Sequence, residues 1–126
     1  MEYILHLFTE EKRFENLSPE RGEARFAAYM AYRQALEDAK VLVGGARLRP
    51  GTESTCVRVG ADGATSVLDG PFADTKEAFA GIFMLDVPDL DAAIAWAEKC
   101  PATLWGTVEI RPSAVRFVAG AWTSAP

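Results

Sequence analysis

Two strand–helix–strand units, each with its own start and stop signals, constrain this chain more than any other feature. The first opens on YILHLF (residues 3–8), a short apolar run rich in strand-forming residues. After a polar loop comes LSPERGEARFAAYMAYRQALEDAK, which reads as a long helix. Ser18 is placed to cap it, Pro19 suits the first helical position, and acidic residues crowd the early turns. Gly22 weakens that start, so the regular helix is expected from about Glu23. Phe26, Tyr29, Met30, Arg33 and Leu36 share one broad face, apolar except for Arg33. VLVGGARLRPG closes the unit as a strand, with a bulge or close backbone approach expected at Gly44 and Gly45.

The second unit is AGIFMLDVPDLDAAIAWAEKCP followed by GTVEIRP. Asp89 caps its helix, Leu90, Ala93, Ile94 and Ala97 form the expected buried stripe, and Pro101 stops it. In the last clear strand Val108 and Ile110 face one way, Glu109 and Arg111 the other. Between the units, STCVRVGADGATSVLDG carries a hairpin signature: Thr55, Val57 and Val59 alternate with Cys56 and Arg58, and Asp62-Gly63 suits a tight turn. The tail is expected to add an edge strand through residues 115–118.

Two split units in one small chain predict an α+β fold of ferredoxin-like β-α-β-β-α-β order with an inserted hairpin. Both helices then lie on one face of an antiparallel sheet. At 126 residues the chain is expected to be one domain, 1–126, with a core over about 1–112 and a C-terminal extension, 113–126. The first strand carries Tyr3, Leu5 and Leu7 on one face and Ile4, His6 and Phe8 on the other. A face left bare by the helices yet apolar calls for a partner, and a second copy in a closed homodimer is the economical one.

A net charge of −5 and a pI near 4.9 argue against nucleic acid, which a basic face would attract. Cys56 and Cys100 stand in no metal-ligand spacing, and one histidine with scattered acids makes no ligand set, so no metal is expected. No glycine-rich phosphate loop follows a strand, so no nucleotide is indicated; no cofactor of any kind is expected. The apolar runs fall short of a membrane span and no secretory leader pattern opens the chain. A reducing cytoplasm with both thiols free is the expected setting.

The least generic stretch is DGPFADTKE, residues 69–77. Asp69 and Gly70 suit a turn, Pro71 fixes φ after them, and Phe72 is expected to anchor the turn in the core. Asp74 and Glu77 have capping-box spacing on a short helical turn, which would leave Lys76 in solvent. The alternative is that Lys76 and Glu77 line a cleft and hold an anionic or polar ligand. His6 reads first as a hydrogen-bonded core or interface histidine, and otherwise as a base or ligand contact inside a dimer cavity, with no carboxylate partner identifiable. Arg58, Glu109 and Arg111 mark a solvated face, or an enclosed one if the sheet is closed by a dimer. Cys100 before Pro101 reads as a small apolar filler rather than a nucleophile.

DGPFADTKE, together with VLVGG, DVPDLDAAIAWAEKCP and GTVEIRP, resembles the DGPF branch of the YCII-related proteins, from the first strand to Pro112. The resemblance implies a small bacterial ferredoxin-like protein pairing into a dimeric α+β barrel. Many DGPF-branch members are encoded beside extracytoplasmic-function sigma factors, which makes such a factor a candidate partner. The wider family is thought to include enzymes built on a histidine from the first helix and an aspartate from the end of the second. Those places fall near Ala28 or Tyr29 and at about Cys100, and neither holds the required residue. The expectation is therefore a non-catalytic homodimer that binds a small molecule or regulates. The alternative is a cofactor-free enzyme, of lyase or dimeric-barrel monooxygenase type, working inside the dimer. Its catalytic candidate is His6, and the cleft candidates are Asp69, Phe72, Lys76, Glu77 and Arg111.

Overall fold

β1 (Glu2–Thr9) is apolar on both faces because it is a central strand, flanked by β5 (Ala78–Asp86) and β6 (Gly106–Pro112). The structure, a computed structural model, describes residues 1–124. β2 (Leu42–Arg47) pairs with the far side of β5, giving an all-antiparallel sheet of order β2-β5-β1-β6. With α1 (Pro19–Asp38) after β1 and α2 (Leu90–Lys99) after β5, this is the ferredoxin-like α+β order. The inserted hairpin is β3 (Thr55–Val59) with β4 (Thr65–Asp69), turned through Gly63 at φ +84°. The Asp62 carboxylate accepts from the Ala64 amide at 3.0 Å and fixes the turn.

Alternation along the strands sends Tyr3, Leu5, Leu7, Phe83 and Leu85 to one face, where Tyr32 and Leu36 of α1 and Ala93 and Ala97 of α2 cover them. Leu5, Leu36 and Leu85 lose all solvent contact, each stabilising the fold by about 1.5–3 kcal/mol. The helix stripes differ from the sequence expectation. In α1 the packed residues are Tyr32 and Leu36, while Phe26 and Met30 are exposed. Apolar residues flank this helix on two sides, and Tyr32 decides the side: its hydroxyl donates to the Trp96 carbonyl of α2 at 2.9 Å. In α2 Leu90 and Ile94 are likewise exposed, and the contact runs through Ala93 and Ala97, small enough to bring the helix close. α1 also starts at Pro19 rather than near Glu23, because the Ser18 hydroxyl accepts from the Arg21 amide at 3.3 Å and holds the first turn through Gly22.

Three local features position the sheet's other face. β2 shifts register between Leu42 and Gly44, and a side chain at Gly45 would press on the Ile82 carbonyl. β5 shifts against β1 between Leu7 and Phe8, where Leu7 opposes Gly81 but Phe8 opposes Phe79. Ala80 is the extra residue of that bulge, and Phe79 thereby comes into phase with Phe8. At the start of β6, a Cβ on Gly106 would collide with the Phe8 carbonyl oxygen, so only glycine lets β6 close on β1 there.

The tail does not add an edge to this sheet. β7 (Val115–Val118) pairs with β8 (Ala121–Ser124) in a separate hairpin, whose turn holds Ala119 and Gly120 at positive φ. Its base is tied to β1. Buried Glu2 accepts from the Ser113 hydroxyl at 2.6 Å and lies 3.6 Å from the Arg116 guanidinium.

Candidate functional site

The helix-free face of the sheet carries Ile4, His6 and Phe8 from β1, Phe79, Ile82 and Met84 from β5, and Thr107, Glu109 and Arg111 from β6. His6 lies mid-strand, directly opposite Ile82 on one side and Glu109 on the other. Its ring is tilted against Phe79 at 6.0 Å between centroids, and Phe79 in turn against Phe8 at 5.5 Å. Among the described residues the buried His6 Nδ1 has no hydrogen-bond partner, so this is not the hydrogen-bonded histidine expected from the sequence. An unpaired buried nitrogen costs about 1–3 kcal/mol, which a bound group with a complementary atom relieves. Side chains directly opposite on one face have Cβ atoms roughly 5 Å apart, so Glu109 is the acidic neighbour of His6 across the strand pair. Arg111 stands opposite Ile4 at the far end of the same charged row.

At the near end, the Thr107 hydroxyl donates to Glu77 Oε1 at 2.8 Å, joining the DGPFADTKE segment to the open face. No helical turn forms over residues 71–77, and the capping box is absent. The Thr75 hydroxyl instead donates to the Glu77 carbonyl at 2.7 Å, and the Glu77 carboxylate turns away to Thr107. Glu77 and Lys76 meet Glu10, Arg13, Trp105 and Gly106 around a cleft of about 180 Å³. Arg13 is paired with Glu10 at 2.8 Å, whereas Lys76 has no ion pair among the described residues.

Asp69 and Phe72 stand apart from this group. Phe72 is 84% exposed and anchors nothing in the core. The turn is held by the Gly70 amide donating to the Ser54 carbonyl at 2.7 Å and by the Cys56 thiol donating to the Gly70 carbonyl at 3.3 Å. Gly70 adopts φ +103°, a conformation that favours glycine.

On the helix-covered side, Ala28 and Cys100 line one groove between α1 and α2, so the two places marked by the resemblance do converge. Burial pushes the Cys100 thiol up to about 11 and raises the Tyr29 hydroxyl above its ordinary value. Both therefore keep their protons at neutral pH. An apolar groove of about 400 Å³ runs between α1 and α2 beside them, past Ala28, Tyr32, Trp96 and Cys100.

Residues 1–114 match the YCII-related domain. The chain belongs to the YCII-related family. An uncharacterised protein of Rhizobium meliloti is 34% identical over 119 residues, spanning 91% of this chain and 94% of the relative. The YCII-related chain also resembles, at 15% identity and a TM-score of 0.49, the 5-chloro-2-hydroxyhydroquinone dehydrochlorinase TftG of Burkholderia phenoliruptrix, solved with 2,5-dihydroxybenzoquinone. That match covers 90% of this chain and 93% of the other.

Among the described residues of this YCII-related protein, no three His, Cys, Asp or Glu side chains are grouped to hold a metal, and no helix is long and apolar enough to cross a membrane. Phe79 is the residue of this face that sequence reasoning missed, whereas Glu109 reads from the sequence as a charge on a solvated or enclosed face without a partner. The alternation of β6 already put Glu109 on a face with Arg111, but only the register against β1 sets it opposite His6.

Proposed function

We propose that this protein is a DGPF-branch homodimer that closes its two open sheet faces on each other and binds a small molecule between them without transforming it. The observation that carries this reading is the His6 Nδ1, buried and unpartnered on an aromatic and aliphatic face that the helices leave uncovered. Phe8 and Phe79 suit a planar or aromatic ligand, the His6 nitrogen fixes one polar atom, and Glu109 and Arg111 offer complementary charges at the rim. The test is mass spectrometry of small molecules released when the protein, purified from its own host, is denatured. One compound enriched with the wild type and lost with His6→Ala is expected; conversion of that compound on incubation with fresh protein would overturn the non-catalytic part.

The catalytic alternative has one observation in its favour: Glu109 faces His6, as a carboxylate that orients an imidazole base would. Glu109→Gln separates the two. Binding retained with turnover lost identifies a cofactor-free enzyme of lyase or monooxygenase type. An extracytoplasmic-function sigma factor would have to dock outside the sheet-to-sheet interface, and co-purification from the native host tests it.

A further inference from the structure

Three loops meet where β1 ends and β5 and β6 begin, and the space between them is the cleft of about 180 Å³. Glu10 and Arg13 line it from the loop after β1, Lys76 and Glu77 from the segment leading into β5, and Trp105 from the residues before β6. These walls are held in place. The Glu10 amide donates to the Trp105 carbonyl at 3.4 Å, the Gly51 amide donates to Glu11 Oε1 at 3.0 Å, and the Thr107 hydroxyl ties down Glu77. Trp105 is packed against Phe14 at 5.8 Å and Tyr29 at 6.2 Å between centroids, with the Arg25 guanidinium carbon 5.5 Å from its ring. Two carboxylates and two cations thus line one space, and each sign keeps capacity to spare. Arg13 donates to Glu10 Oε2 through Nε, and Thr107 donates to Glu77 Oε1. Among the described residues the Arg13 terminal amines, Glu10 Oε1 and Glu77 Oε2 make no hydrogen bond, and Lys76 makes no ion pair.

We propose that this cleft binds a small α-amino acid as its zwitterion, the carboxylate on Lys76 and Arg13 and the ammonium on Glu77 and Glu10. Charge matching selects the class. A plain anion would meet two carboxylates and a plain cation two positive groups, whereas a ligand carrying both signs close together uses all four. At roughly 30 Å³ per water in the liquid, the space holds about six waters, which is room for an amino acid with a short side chain. Trp105 offers that side chain an apolar wall, and its ring is already clamped by Phe14, Tyr29 and Arg25, so little freedom is lost on binding. A merely solvated set of charges accounts for the exposed Lys76, but not for the fixing of Glu10 by Arg13 and of Glu77 by Thr107 around a cleft with an indole wall. The site lies at the end of the sheet and goes beyond the proposed role of the open face, touching it only through Thr107.

The test is titration calorimetry and thermal melting of the full chain with L-alanine or L-valine, set against sodium propionate and propylammonium chloride at matched ionic strength. Saturable binding of at least one amino acid is expected, with neither singly charged probe matching it. Lys76→Met removes an exposed ammonium that holds no ion pair and should leave melting without ligand unchanged. Glu77→Gln keeps an amide oxygen for the Thr107 hydroxyl and removes only the charge. In either variant the affinity should fall about tenfold or more, the loss of one charge-assisted hydrogen bond. Arg58→Gln, an exposed arginine of β3 outside the cleft, should bind as the wild type does. The proposal is overturned by no saturable response to either amino acid, or by propionate or propylammonium binding as tightly. An affinity undiminished in Lys76→Met or in Glu77→Gln, or diminished equally in Arg58→Gln, overturns it too.

Discussion

Replacing Ile82 by glutamate probes the open face at its middle, where β5 lies beside His6. Four strands spaced about 4.8 Å apart and about seven residues long, at about 3.3 Å each, give a planar face of roughly 450 Å² per copy. A stable interface buries roughly 800 Å² per partner. Side chains beyond the flat sheet must supply the rest, and Val57, Val67, Phe117 and Trp122 of the two hairpins are exposed and apolar enough to do so. In the proposed homodimer, Ile82→Glu places one carboxylate per copy, hence two, in that interface, and an unpaired buried charge costs several kcal/mol. A total of at least about 4 kcal/mol weakens the dimer about a thousandfold. In the separated protomer residue 82 is only half-buried, so the change should cost the fold about 1 kcal/mol or less. Multi-angle light scattering at micromolar concentration should therefore report a dimer for the wild type and a folded monomer for Ile82→Glu. Ile94→Glu, on the outer side of α2, serves as control and should remain dimeric. A monomeric wild type, a dimeric Ile82→Glu, or dissociation by Ile94→Glu alone would refute the reasoning.

A thiol reagent at pH 8 should label only Cys56 in the native protein and both cysteines in denaturant, because Cys100 is fully buried and its thiol is pushed up to about 11. Alkali should destabilise the fold: Cys100, Tyr29 and Tyr32 hold their protons more tightly folded than unfolded, so their contribution is complete below about pH 9 and is lost as pH rises towards 11, as melting at stepped pH will record. Glu2→Ala should lower stability by about 1–3 kcal/mol by removing the buried acceptor of Ser113, and should speed proteolysis at Arg116 and Phe117 relative to the rest of the chain.

The strand–helix–strand units, the caps at Ser18 and Asp89, and the hairpin at Asp62-Gly63 were legible because each rests on neighbours in sequence. What escaped depends on contacts made at a distance. α1 offers apolar residues on two sides, and the choice between them turns on a hydrogen bond to α2 that its own sequence does not encode. Strict alternation back from Phe83 and Gly81 puts Phe79 on the helix side, and the bulge at Ala80 reverses it. The charges of β6 were visible, but their pairing with His6 is a register, which no single strand specifies. DGPFADTKE pointed to the family yet misled locally, since Glu77 forgoes a capping box for the Thr107 hydroxyl, thirty residues on.

The closure of β6 on β1 at Gly106 bears on how relatives of this protein diverge. Gly106, Val108 and Ile110 hold the strand in place from the helix side, while Thr107, Glu109 and Arg111 alternate with them on the other. Anchoring and the proposed recognition thus fall on alternate letters of a single strand. Under the proposed function, drift at the second set would retune what the molecule binds while leaving the scaffold untouched, so descendants of one ancestor would share this architecture and differ in ligand by two or three side chains.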